Sequence, residues 1–115
     1  MEKRENAIVN KSLQFALEVI EYSELLEEKK KFVIARQILK SGTSIGANVR
    51  EAQNAESKMD FIHKLKVAAK EAEETEYWLI LCKESKNYPT NEKLGSDILE
   101  IKKLLGKIIY SSKRN

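Results

Sequence analysis

The chain has few residues that break helices, crosslink loops or act as nucleophiles: among 115 residues there are one proline, four glycines, one cysteine and one histidine. The lone cysteine, Cys82, cannot form an internal disulfide and sits among Leu79, Ile80 and Leu81. A reducing compartment, the cytoplasm, is therefore expected. The single histidine, His63, removes most routes to a Ser-His or Cys-His nucleophile, because Cys82 lies about five turns further along the same predicted helix. No apolar run approaches the roughly 20 residues that span a bilayer, and residues 1–6 lead into no secretory apolar core. No membrane association is expected. A chain of this length is one domain's worth, so a single domain over 1–115 is predicted, with a modest core and no cleft between domains.

What the chain does contain is amphipathic helix: 34% of residues are charged and Glu, Lys, Leu, Ile and Ala abound. The first helix is predicted from about Asn6 to about Glu28, with Val9, Leu13, Ala16 and Ile20 as its inner stripe and Phe15, Leu17, Val19, Tyr22, Leu25 and Leu26 widening it. So wide an apolar arc implies two neighbours. Glu27 to Lys31 forms a turn, and the second helix runs to about Ala55 on Ile34, Ile38, Ile45, Val49 and Ala52. Ser57 opens the third, where its hydroxyl can cap the Asp60 amide while the Asp60 carboxylate reaches back. Lys86 to Thr90 is a loop, since Pro89 disfavours a helical Tyr88 and Thr90 can cap the fourth helix. That helix spaces Leu94, Ile98, Ile101, Leu105 and Ile108 four, three, four and three apart. The fold class is all-α, an antiparallel up-down-up-down four-helix bundle.

The second helix holds the most informative segment. Six of the seven residues from Ser41 to Ala47 are small, and Ser41, Gly42, Thr43, Ser44 and Gly46 are poor helix formers, yet the apolar period runs through them unbroken. Close packing must hold this segment helical. Gly42, Ser44, Gly46 and Asn48, with Trp78 on the third helix, are read as helix or oligomer contacts. A phosphate-cradling loop would need a preceding strand and a glycine followed by Lys and Ser/Thr. Here Gly42 precedes Thr43, Gly46 precedes Ala47, and both flanks are helical in period.

Four stretches resemble a known family: Ser41-Gly-Thr-Ser-Ile-Gly-Ala-Asn-Val-Arg-Glu-Ala52, Asn54-Ala-Glu-Ser57, Asp60-Phe-Ile-His-Lys-Leu65 and Lys70-Glu-Ala-Glu-Glu-Thr-Glu-Tyr-Trp-Leu79. The chain is similar, over about residues 5 to 112, to the small bacterial four-helix-bundle proteins encoded in intervening sequences of large-subunit ribosomal RNA genes. That family is in turn similar to the accessory variability protein of diversity-generating retroelements. The resemblance implies a homo-oligomer, a pentameric ring, and in the retroelement branch a basic surface that binds nucleic acid beside a reverse transcriptase partner. It implies no enzymatic activity and no cofactor. Spacing alone gives a bundle with surplus apolar surface.

Catalytic constellations are incomplete. Asp60 and His63 make half of a carboxylate-histidine metal pair, but a di-iron bundle repeats that motif and adds two carboxylates. Arg50 precedes His63 by thirteen residues, too far for the Arg and His pairing of helical ribonucleases. Glu71, Glu73, Glu74 and Glu76, with Glu21 and Glu24, leave a magnesium-dependent nucleotide hydrolase as a distant alternative. The favoured reading is a solvated or ion-paired face, in which Glu73 and Glu76 make interhelix or intersubunit contacts as the family likeness suggests. No catalytic, metal or cofactor residue is assigned.

Charge is unevenly placed although the net is only +3. Residues 31–55 carry four basic side chains against one acidic, and residues 87–115 carry six against three. On the second helix Arg36, Lys40 and Arg50 line up with Thr43 and Ala47, opposite the apolar stripe. On the fourth, Lys103, Lys107, Tyr110 and Arg114 repeat the pattern with a ring that can stack on a base. These seven residues, Thr43 and Ala47 aside, are the candidate contacts to RNA or DNA, and repetition around an oligomer would supply the affinity one subunit lacks. The expected function is a non-enzymatic homo-oligomeric accessory module that binds nucleic acid. The alternative is a structural oligomer or protein adaptor with ordinary solvated lysine faces.

Overall fold

The computed structural model describes residues 3–114, with side chains from Ala7 onward. Four helices succeed one another, α1 (Lys3–Glu28), α2 (Phe32–Gln53), α3 (Lys58–Glu84) and α4 (Glu92–Arg114). Packing runs around a square, α1 on α2, α2 on α3, α3 on α4 and α4 on α1, with no close backbone approach across either diagonal among the described residues. The bundle measures 48 × 20 × 19 Å. This is the up-down-up-down topology that short links between antiparallel helices dictate.

Two turns share one end of the bundle. α1 stops at a Schellman-type closure in which the Lys31 amide bonds the Leu26 carbonyl at 2.8 Å and the Lys30 amide bonds Glu27 at 2.9 Å. Lys30 takes the left-handed conformation there, with φ 63°, as does Asn87 in the α3–α4 loop. Lys31 Nζ sits 4.8 Å from the centre of the Tyr88 ring and ties the two turns together. At the other end Ser57 accepts from the Asp60 amide at 3.0 Å, while the Asp60 carboxylate accepts from Glu56. The predicted cap is present, with its return bond one residue earlier than a capping box places it. At α4 the cap is Asn91, whose Oδ1 accepts from the Leu94 amide at 2.9 Å. Thr90, the cap predicted from sequence, lies one residue too early for that bond.

The core is aliphatic with few aromatics. α2, α3 and α4 bury the stripes their spacing predicts, including Ile38, Ile45 and Val49, then Leu65, Ala68, Ala72 and Leu79, then Leu94, Ile98, Ile101, Leu105 and Ile108. α1 differs from expectation. Its buried stripe is Ile8, Ser12, Phe15, Val19, Tyr22 and Leu26, whereas Leu13 and Ile20 of the predicted inner stripe are about 40% exposed and Val9 and Ala16 sit at the edge. The apolar arc of α1 is wider than the core it meets. Its polar face, Asn10, Gln14, Glu21 and Glu24, points away from the true stripe, and that opposition is the signal in the sequence that places it.

Candidate nucleic-acid interface and helix contacts

The small-residue segment of α2 turns toward α1 of the same chain. A Cβ on Gly42 would lie 2.8 Å from both γ-carbons of buried Val19, and one on Gly46 would meet the Ser12 carbonyl oxygen at 3.4 Å. No residue with a side chain fits at Gly42 unless Val19 moves. Ser44 and Asn48 lie on the other flank, beside α3, and satisfy themselves locally: Ser44 Oγ bonds the Lys40 carbonyl at 2.6 Å and Asn48 Nδ2 bonds the Ser44 carbonyl at 2.9 Å. Ser41 and Thr75 bond each other at 2.8 Å in the interior and join α2 to α3. Trp78 packs its ring against the core with its Nε1 shielded from solvent and without an acceptor.

The acidic run of α3 is partly consumed by one lysine. Lys102 on α4 holds Glu73 at 2.8 Å and Glu76 at 2.6 Å, and these hydrogen bonds raise its pKa. Of the interhelix and intersubunit contacts that the family likeness suggests for the two glutamates, these are interhelix ones. Similar bridges join Lys11 to Asp97 and Glu100, Lys93 to Glu18 and Asp97, and Lys64 to Glu51. Among the described residues no group of three His, Cys, Asp or Glu side chains is placed to hold a metal ion.

All seven candidate nucleic-acid residues are solvent-exposed, but they form two surfaces. Arg36, Lys40 and Arg50 share the outer face of α2, spread over about 21 Å at 1.5 Å per residue. Lys103, Lys107, Tyr110 and Arg114 share the outer face of α4. Because α2 and α4 sit across a diagonal of the square, the two stripes point away from each other. One bound strand cannot lie flat on both.

The α4 stripe gains neighbours that sequence reasoning missed. α3 runs antiparallel beside it and brings Lys66 next to Lys113, whose pKa is lowered by the adjoining Lys66 ammonium. Lys70 and Gly106 line one shallow depression between the same two helices. Arg114 bridges back over Tyr110, its guanidinium 5.5 Å from the ring centre and Nη1 donating to the hydroxyl at 3.3 Å; the ring itself is 62% exposed. Among the described residues, Lys66, Lys70, Lys103, Lys107, Lys113 and Arg114 have no carboxylate within ion-pair distance. The signal for Lys66 and Lys70 is their four-residue spacing on an outward α3 face, which becomes meaningful only once α3 is known to neighbour the end of α4.

Two grooves complete the surface. Between α3 and α4, at the end with the two turns, a cleft of about 400 Å³ is floored by Tyr22, Leu79 and Ile98 and walled by Ile80 and Leu99. A smaller one of about 160 Å³ lies between α1 and α2, beside Leu13, Ala16, Gly46 and Ala47. No described helix is long and apolar enough to cross a membrane.

The comparisons with known proteins agree with this architecture. A crystal structure of a protein of unknown function from the S23 ribosomal protein family of Bacteroides thetaiotaomicron shares 50% identity, covers 93% of this chain and 98% of its own, and superposes with a TM-score of 0.86. No curated protein matches the chain. Residues 4–107 match the model of the 23S rRNA-intervening sequence proteins, and with nine-tenths of the chain covered, it belongs to that family.

Proposed function

We propose that the chain is a non-enzymatic, self-associating bundle that binds nucleic acid through the basic surface formed by α4 and the adjoining end of α3. The observation that carries this reading is the cluster of uncompensated cations around Tyr110, in a molecule where Lys11, Lys64, Lys93 and Lys102 are each bridged to carboxylates. Such a cluster gathers like charges, with Lys66 beside Lys113, and a phosphate backbone relieves that repulsion while releasing counterions. Tyr110 adds a ring on which an unpaired base can stack. Contacts of this kind read phosphate and stacking, not sequence. The α2 stripe is a separate surface and is not needed for this site.

Homo-oligomerisation, as a pentameric ring by the family likeness, would repeat the cluster around the assembly and raise avidity. A chain with a net charge of +3 would bind weakly alone. The name of the family makes structured RNA the first ligand to try; a reverse transcriptase partner comes next if the retroelement likeness extends to this chain. Fluorescence anisotropy with a labelled RNA hairpin, a single strand and a DNA duplex at low salt tests the proposal. Binding to at least one supports it. A flat response to all three favours the second reading, a structural oligomer or adaptor, which the exposed Leu17, Ile80 and Leu99 already recommend.

A further inference from the structure

Gly106 lies in the interior of α4, where a side chain built on it would meet nothing within 4 Å. Packing does not ask for glycine at this position, as it does at Gly42, and glycine weakens a helix more than any residue but proline. What the missing side chain opens is the shallow depression of about 210 Å³ between α3 and α4, lined by Ala69, Lys70 and Gly106. One end of this furrow is closed by Lys102, which bridges Glu73 and Glu76. Toward the other end the Lys66 ammonium lies beside Lys113. Tyr110 follows Gly106 by about one helical turn, 62% exposed and with the Arg114 guanidinium over its ring.

We infer that a single unpaired nucleic-acid strand lies along this furrow, its sugar-phosphate backbone passing over Gly106 within reach of Lys66, Lys70 and Lys113, with one base turned onto Tyr110. The inference rests on the nucleic-acid reading of this surface and adds the state and the path of the strand. Width decides the state. Two packed helices set their axes roughly 8–10 Å apart, which leaves a furrow for one backbone, and a paired base cannot reach Tyr110 without leaving its stack. Charge favours the path, because Glu73, the acid that lines the depression, is already held by Lys102. Gly95 supplies a comparison within the same helix. It lies about three turns from Gly106 and is equally open, but it borders the cleft of Ile80 and Leu99, whose rim carries Glu92 as well as Lys83. No excess of positive charge gathers there.

Filling each glycine tests the path. Gly106→Leu and Gly95→Leu should both melt at or above the temperature of the natural chain, since leucine favours helix and neither site is crowded. In fluorescence anisotropy at low salt, the natural chain should bind a labelled RNA single strand more tightly than the duplex formed from it. Gly106→Leu should lose affinity for the single strand at least severalfold, and Gly95→Leu should keep it. Tyr110→Ala should weaken the single strand by about 5- to 150-fold, the worth of one stacked base, and the duplex little. Should Gly106→Leu lose helicity by circular dichroism, Lys66→Gln combined with Lys70→Gln takes its place, with the same loss expected. A natural chain that binds no single strand, hairpin or duplex overturns the nucleic-acid reading itself. Binding that Gly106→Leu leaves unchanged, or that Gly95→Leu weakens equally, overturns the furrow alone, and equal affinity for strand and duplex overturns the unpaired state. A change of oligomeric mass in Gly106→Leu, read by light scattering, would make the furrow a subunit contact and remove the strand from it.

Discussion

Gly42 and Gly46 are one helical turn apart, face the same neighbour and should respond oppositely to one methyl group. At Gly42 the added Cβ falls 2.8 Å from a buried, β-branched Val19 that cannot swing aside. Gly42→Ala should therefore lose about 1–3 kcal/mol to overpacking. At Gly46 the nearest atom is at 3.4 Å, an ordinary contact, so Gly46→Ala should be neutral or gain up to about 1 kcal/mol of helix propensity. Thermal melts of the two variants read the difference directly. Tyr22 is the other informative residue, since its hydroxyl donates to the Pro89 carbonyl at 2.6 Å and anchors the α3–α4 loop to α1. Burial, with help from the neighbouring Cys82 thiol, pushes its pKa far above the ordinary 10.0. The folded chain thus keeps this proton where the unfolded chain releases it, so the stability it contributes is complete below pH 10 and is lost as pH rises beyond. Tyr22→Phe should cost about 0.5–1.5 kcal/mol at neutral pH and flatten the decline of the melting temperature above pH 10. An equally steep decline in the variant would remove Tyr22 as its cause.

At the scale of elements, legibility in the sequence depends on how narrow each apolar stripe is. α4 places one residue in each core layer, Leu94 through Ile108, and every one is buried. α1 offers apolar side chains on more than half its circumference, and periodicity alone selects Leu13 and Ile20, which belong to the outer edge of that arc. Position is set by tertiary contact: Val19 must face Gly42 and Ser12 must face Gly46. Caps show the same contrast. Ser57 is legible because a capping residue and an acid stand three apart, whereas Thr90 and Asn91 are adjacent capable caps and only the 2.9 Å bond to Leu94 distinguishes them. Asn91→Ala should cost about 0.5–2 kcal/mol, and Thr90→Ala much less. Denaturant melts showing equal losses would place the cap wrongly.

For the whole molecule, the sequence can count basic stripes but not arrange them. Arg36, Lys40 and Arg50 read as one stripe and Lys103, Lys107 and Arg114 as another, and only the square packing shows that they lie on helices set across a diagonal. The sequence also hides Lys66 and Lys113, which are 47 residues apart along the chain and side by side in space. The proposed division of labour, a cationic surface on α3 and α4 for nucleic acid and apolar flanks for self-association, is the central claim. The salt dependence of binding tests it most directly. Anisotropy with a structured RNA over a series of salt concentrations should give a linear fall of log affinity with log salt, at about 0.7–0.9 per phosphate neutralised. Replacing Lys103, Lys107 and Arg114 with Gln should make that slope shallower and weaken binding at low salt, with the melting temperature and the oligomeric mass unchanged. A slope identical to that of the natural chain, or binding without salt dependence, would contradict the assignment of nucleic acid to this surface.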